Sequence, residues 1–261
     1  MLLTVDIGNT NITFGCYEKN KLSIVTRIAT DRRLTADQYA SELLILLRLR
    51  EIHRDSFDGA IISSVVPEVT KKLIYAVKNV VDVEPLVLGP GVKNGLNIKI
   101  DNPAQLGADM VATAVGAIKK YSLPCFVADL GTATKISVID SKGVFRGCTI
   151  APGVGISLNA LSGGASLLPS LSLDTPKNAI GTNTVTSMQS GIVYGNAEML
   201  DGMFRRLEEE LGEQVGTIVA TGGYAEDIVR HCNREIIYDE NLILDGLAVI
   251  FEKNNLRNEI K

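Results

Sequence analysis

The chain has 261 residues and 46% hydrophobic content, enough for one large domain or two modest ones with a substantial core. Its formal net charge of -4, with acids and bases interspersed, lacks the basic footprint of a nucleic-acid binder, and no apolar run approaches the length needed to cross a bilayer. Two histidines, His53 and His231, are too few for a histidine-rich metal site and argue against a Ser-His-Asp hydrolase, so any metal is expected on oxygen.

Asp6 and Asn9 stand where a signal peptide would need an unbroken apolar segment, and a cytoplasmic protein with no membrane partner is expected. Cys16, Cys125, Cys148 and Cys232 form no C-x-x-C pair and read as buried free thiols.

Leu2 to Ile7, Ile12 to Glu18 and Leu22 to Ile28 read as three successive strands, separated by the turn formers Gly8-Asn9-Thr10 and Lys19-Asn20-Lys21. Thr35 can cap a helix whose apolar positions recur at helical spacing to about Ile52. Gly59 to Val66 reads as a buried strand, Pro67 suits the first turn of a helix to about Val80, and Leu86 to Leu88 gives another strand. Gly89 to Pro103, rich in Gly, Pro, Asn and Lys, is expected as a long surface loop.

From Pro124 the order begins again. Cys125 to Leu130, Lys135 to Asp140 and Val144 to Ile150 read as strands, Gly153 to Leu161 and Thr184 to Leu211 as helices. Val215 to Ala220 reads as a strand running into Thr221-Gly222-Gly223, followed by a short helix and, after Leu242, a terminal one. The charged run Arg205 to Glu213 alternates in sign and reads as a solvated helix face.

The two halves share a turn: VDIGNTN from Val5 and ADLGTAT from Ala128, each between the first and second strand of a meander. A carboxylate at the end of a strand, here Asp6, can order a hydrated Mg2+, and Gly8 lets the backbone approach a polyanion. Asn9, Thr10 and Asn11 can present donors to phosphate oxygens, and Asp129, Gly131, Thr132 and Thr134 repeat the arrangement. One copy alone reads as a hairpin turn. The pair, with Thr221-Gly222-Gly223 suited to adenosine, points to ATP held between the two halves.

These motifs resemble those of the actin, Hsp70 and sugar-kinase superfamily. More narrowly, DIGNTN, SSVVPE at Ser63, LGPG at Leu88, GAD at Gly107, DLGTAT, NTVTSMQSGIVYG at Asn183, ATGG at Ala220 and LILDGL at Leu242 resemble type III pantothenate kinase in order and spacing over nearly the whole chain. The resemblance implies two duplicated ribonuclease-H-like domains of an α/β class, 1–119 and 120–261, with an ATP cleft between them. It implies ATP-dependent phosphorylation of pantothenate in the first step of coenzyme A biosynthesis, by a homodimer.

On this resemblance Asp6, Ile7, Gly8, Asn9, Thr10, Asn11, Ile12 and Thr13 bind ATP together with Thr132, Gly222 and Gly223, with Asp6 reaching Mg2+ through water. Asp109 is the general base, and Gly107, Ala108, Asp109, Met110 and Thr184 correspond to pantothenate-binding positions. Asp129 matches a ligand of a monovalent cation, potassium or ammonium. The residues taken alone also allow Asp109 and Thr184 to be helix caps, Asp129 and Thr132 to be turn residues, and Met188, Ile192 and Met199 to be ordinary core.

The chain departs from the family pattern at four cations: Met110 replaces an arginine after GAD, Gly164 and Leu167 replace an arginine and a lysine, and Thr182 replaces a lysine. Ile100 stands where an aromatic is common, and Lys135 where threonine is. Charge-assisted bonds are worth roughly 1.5 to 3 kcal/mol each. Their loss leaves open a non-catalytic or regulatory paralogue, or a kinase for another small alcohol.

Overall fold

The computed structural model describes residues 1–164 and 173–255, the side chains of 162–164 excepted. In chain order the first half contains β1 (Leu2–Ile7), β2 (Asn11–Glu18), β3 (Lys21–Ala29), α1 (Ala36–Leu49), β4 (Gly59–Ser64), α2 (Pro67–Val81), β5 (Leu86–Val87), β6 (Asn97–Ile98) and α3 (Ala108–Lys120). The second contains β7 (Cys125–Leu130), β8 (Ala133–Ile139), β9 (Val144–Pro152), α4 (Val154–Gly164), α5 (Thr184–Leu211), β10 (Thr217–Thr221), α6 (Ala225–Val229), β11 (Ile237–Tyr238) and α7 (Leu242–Asn255).

Two units form. Met1–Leu96, Asn102–Lys119 and α7 make the first, and Asn97–Asp101 with Lys120–Asn241 make the second. This division differs from 1–119 and 120–261 at two segments, each for a local reason. β6 adds to the second sheet by pairing in parallel with β9, Asn97 beside Val144, so the expected surface loop carries a short edge strand. Helix α7 joins the first unit because glycines let it meet α3 closely: a Cβ at Gly116 would lie 2.5 Å from the Leu242 carbonyl oxygen, and one at Gly246 would strike the Ala112 carbonyl.

In the first unit the sheet order is β3-β2-β1-β4-β5, the meander antiparallel and β4 and β5 parallel to β1. Lys19 and Asn20 both take positive φ, the two-residue turn whose twist suits a hairpin. Thr35 caps α1 in a reciprocal box with Gln38, and α1 stops at Leu49. Leu3, Val5 and Ile7 of β1 join Ala60 and Ile62 of β4 in one core with Tyr39, Leu43, Val69 and Leu73 of α1 and α2. Successive strand residues alternate faces, so Thr4, Asp6, Gly59 and Ser63 point the other way. There α7 covers the sheet, with Phe251 against Gly59 and Leu244 against Gly15.

The second unit repeats the plan. Its order is β11-β10-β7-β8-β9-β6, so without the β6 edge it matches the first strand for strand, including the parallel pair at its centre. Phe126, Ala128 and Leu130 of β7 pack with Ile192, Val193 and Leu200 of α5, leaving Val127 and Asp129 on the opposite face. Cys16 and Cys125 are buried as expected, whereas Cys148 is exposed on β9, an outer strand of the meander. Among the described residues no helix is long and apolar enough to cross a membrane.

Candidate functional site

In each unit the strand order reverses around one central strand, β1 or β7, and ligands of open α/β sheets bind beyond the carboxyl ends of strands at such a point. The first shared turn leaves β1 there. Asp6 lies opposite Thr13 of β2 and beside Ser63 of β4, all on the face covered by α7. Gly8 N donates to Asn11 O at 3.0 Å, and a Cβ at Gly8 would stand 3.1 Å from that oxygen. Asn9, Thr10 and Asn11 are exposed, while Ile7 and Ile12 are fully buried, so those two offer a ligand only their backbone.

Three residues around this turn escaped the reading of motifs. Thr30 Oγ1 donates to Gly8 O at 2.7 Å and Thr30 N to Thr10 O at 2.9 Å, which fixes the turn from the segment after β3. Arg32 Nη2 donates to Asn9 Oδ1 at 3.2 Å, placing a guanidinium at the turn. Lys72 holds that segment in place by donating to the carbonyls of Arg32 and Leu34. The Asp31-Arg32-Arg33 run was the available signal. Ser63 Oγ is buried and finds no partner among the described residues, an orphaned polar atom in register with Asp6.

The second turn leaves β7 in the same way but is one residue shorter, with Gly131 N donating to Ala133 O at 3.2 Å. Asp129 therefore lies beside Thr221 of β10 and opposite Lys135 of β8, where the first unit has Thr13. Gly222 has φ +100°, and a Cβ there would lie 2.6 Å from the Leu130 carbonyl carbon. Tyr224 N donates to Leu130 O at 3.2 Å, so Thr221-Gly222-Gly223 is folded onto the turn carrying Thr132. The start of α4 abuts the same turn, since a Cβ at Gly153 would strike Thr132 O.

Lys135 Nζ lies 2.7 Å from Asp129 Oδ2, with the two side chains 16% and 23% exposed. The carboxylate expected to hold a monovalent cation is thus ion-paired with a lysine of its own sheet. Among the described residues no group of three or more His, Cys, Asp or Glu is arranged to hold a metal ion.

Asp109 sits in the first turn of α3, which begins at Ala108, so it does not occupy the cap position before Met110. Its Oδ1 accepts from Met110 N at 2.8 Å and folds back over Gly107, where a Cβ would collide with it. Because α3 packs on α7, and α7 covers the sheet face that Asp6 shares, the first unit brings both aspartates to one side of its sheet. Met110 is only 7% exposed and packs as core. In the second unit Thr184 is the exposed first residue of α5, and the cap is Asn183, paired reciprocally with Thr186. Met188 and Ile192 are buried in the body of α5. Thr182 is exposed and its backbone donates to Thr186 Oγ1. Gly164 ends α4, and Leu167 lies outside the described residues.

The family model of type III pantothenate kinase matches residues 2–206. The chain belongs to the type III pantothenate kinase family. Among members of that family, a protein named type III pantothenate kinase from Exiguobacterium sibiricum is 41% identical over 254 residues, 97% of this chain and 100% of its own. One of the same name from Halalkalibacterium halodurans is also 41% identical, over 97% of this chain and 100% of its own. Solved structures share the fold at lower identity. A putative 2-dehydro-3-deoxygalactonokinase from Sinorhizobium meliloti aligns with TM-score 0.60 at 10% identity, covering 97% of this chain and 96% of that one. An activator of 2-hydroxyisocaproyl-CoA dehydratase from Clostridium difficile, solved with bound ADPNP, aligns with TM-score 0.56 at 15% identity, covering 100% and 98%. The two repeated sheets are consistent with the two ribonuclease-H-like domains that the family resemblance implies.

Proposed function

We propose that this family member transfers the γ-phosphoryl group of ATP to the primary hydroxyl of pantothenate, giving 4'-phosphopantothenate and ADP. The observation that carries the reading is 41% identity over 97% of the chain to type III pantothenate kinases, with Asp6, Asp109 and Asp129 all in place. Asp6 to Thr13 bind ATP in the first unit, with Arg32 adding a cation beside Asn9. Thr132, Gly222 and Gly223 bind it in the second. Backbone N–H groups in these glycine turns approach phosphate oxygens without a side chain in the way.

The Asp6 carboxylate at the strand end and the orphaned Ser63 Oγ in register with it fit a hydrated Mg2+, which keeps several waters and takes one or two carboxylates plus phosphate oxygens. When bound, that ion neutralises phosphate charge. Asp109 accepts the hydroxyl proton of pantothenate as the alcohol oxygen bonds to the γ-phosphorus, and the bond to the β–γ bridging oxygen breaks, with ADP leaving. Gly107, Ala108, Met110 and Thr184 belong to the acceptor site, Met110 through packing and its backbone. The family resemblance carries the further reading that the enzyme works in the cytoplasm as a homodimer.

A coupled assay of ADP release with ATP, Mg2+ and pantothenate tests the reading, with Asp109→Asn expected to lose turnover while keeping an ATP-dependent thermal shift. Buried Met110 in place of the family's arginine favours one second reading, a kinase for an acceptor that needs no cation there. Turnover of other small alcohols but not pantothenate would establish it.

A further inference from the structure

Asp129 is the position at which the family resemblance calls for a monovalent cation, and its surroundings here do not fit one. Oδ2 is taken by the Lys135 ammonium at 2.7 Å. Oδ1 faces the glycine turn, 2.8 Å from where a Cβ of Gly222 would stand and 3.4 Å from one of Gly131. Both paired side chains are largely buried, so solvent screens the pair weakly and the lysine is held where its strand puts it. The placement follows from register: residue 135 is the cross-strand partner of Asp129, as Thr13 is of Asp6, and cross-strand partners project from the same face. A second cation at this carboxylate would sit beside the ammonium and be repelled by it.

We propose that the Lys135 ammonium replaces the monovalent cation at Asp129, so that this protein binds ATP and turns over without potassium or ammonium. The ε-ammonium of lysine is a compact point charge with three donors, in effect a tethered ammonium ion. It supplies the positive charge beside the second phosphate turn at all times, whatever salt surrounds the protein. The inference rests on the proposed use of ATP.

Its test is calorimetric titration of Mg-ATP at a constant ionic strength of about 0.1 M, with potassium, ammonium or choline as the cation. The wild-type chain is expected to give the same affinity in all three, and Lys135→Thr to bind about tenfold more weakly in choline and recover in potassium. Lys135→Gln serves as a second variant, with circular dichroism confirming that each is folded. A potassium-dependent rise in wild-type affinity or turnover overturns the inference and leaves the kinase reading intact. So does a folded Lys135→Thr that binds ATP fully in choline. The wild-type titration decides whether or not the variants fold. Cation-independent ATP binding with no turnover in any salt overturns the kinase reading alone, and absence of ATP binding in every buffer overturns both.

Discussion

Gly222 is packed so tightly against Asp129 that a Cβ on residue 222 would lie 2.8 Å from Oδ1, and its φ of +100° is a conformation that L side chains rarely adopt. The neighbouring Gly223 has nothing within 4 Å of its Cβ position. Gly222→Ala is therefore expected to lower stability by about 1–3 kcal/mol through backbone strain and to weaken ATP binding. Gly223→Ala leaves stability unchanged. Thermal melts of both variants with and without ATP check the contrast, and equal melting temperatures would refute it.

Arg32 touches the first phosphate turn through Asn9, although its side chain is 56% exposed and also reaches Glu68 at 3.7 Å. An exposed guanidinium is screened, so Arg32→Ala is expected to weaken ATP binding by about 1 kcal/mol, roughly fivefold. The deficit shrinks as salt rises. Titration of ATP at low and high ionic strength measures it, and a salt-independent deficit would point instead to a collapsed turn.

The strands and helices with strong periodicity were legible in the sequence, Thr184–Leu211 to the residue, and so was the doubling of the sheet. What escaped was tertiary. Two-residue β6 pairs with β9 from within a stretch of Gly, Pro and Asn, and no local pattern marks so short an edge strand. The migration of α7 to the first unit depends on Gly116 and Gly246, whose meaning appears only when the helices meet. Asp6, Gly8, Asp129 and Gly222 were legible because a strand-end acid and a glycine carry chemistry in their spacing. Lys135 was visible as an unusual residue, but its partner was not: with one residue fewer in the second turn, strand register and not motif alignment sets it opposite Asp129.

Cysteine chemistry separates burial from exposure. Burial pushes the Cys16 thiol up to about 11 and the Cys125 thiol up to about 12, and burial followed by the charges of Asp201 and Glu198 brings Cys232 to about 12. Such thiols stay protonated and unreactive near neutral pH. Partial desolvation raises the Cys148 thiol as well, with the Lys135 ammonium opposing it, but Cys148 is exposed on β9 and open to a reagent. Iodoacetamide applied to the native protein is expected to label Cys148 well before the other three, as peptide mass spectrometry would show. Early labelling of Cys125 would contradict the core described for β7.

Glu208 and Arg234 tie α5 to the segment before β11 by two bonds of 2.8 Å, and Glu208 Oε1 also accepts from Val215 N at 3.0 Å. The Arg234 guanidinium holds the Glu208 carboxyl below its ordinary 4.5 despite some desolvation. A carboxylate with a depressed folded value binds fewer protons in the native state than in the unfolded one. Its stabilisation is therefore complete above the ordinary glutamate value and disappears as pH falls through the lowered one. Glu208→Gln is expected to cost about 1–2 kcal/mol at pH 7, discounted for the partial exposure of Arg234, and nothing once the wild-type carboxyl is protonated. Urea unfolding at a series of pH values checks this: the wild-type and variant stabilities should converge in acid, and parallel curves would show that the pair contributes nothing through its charge.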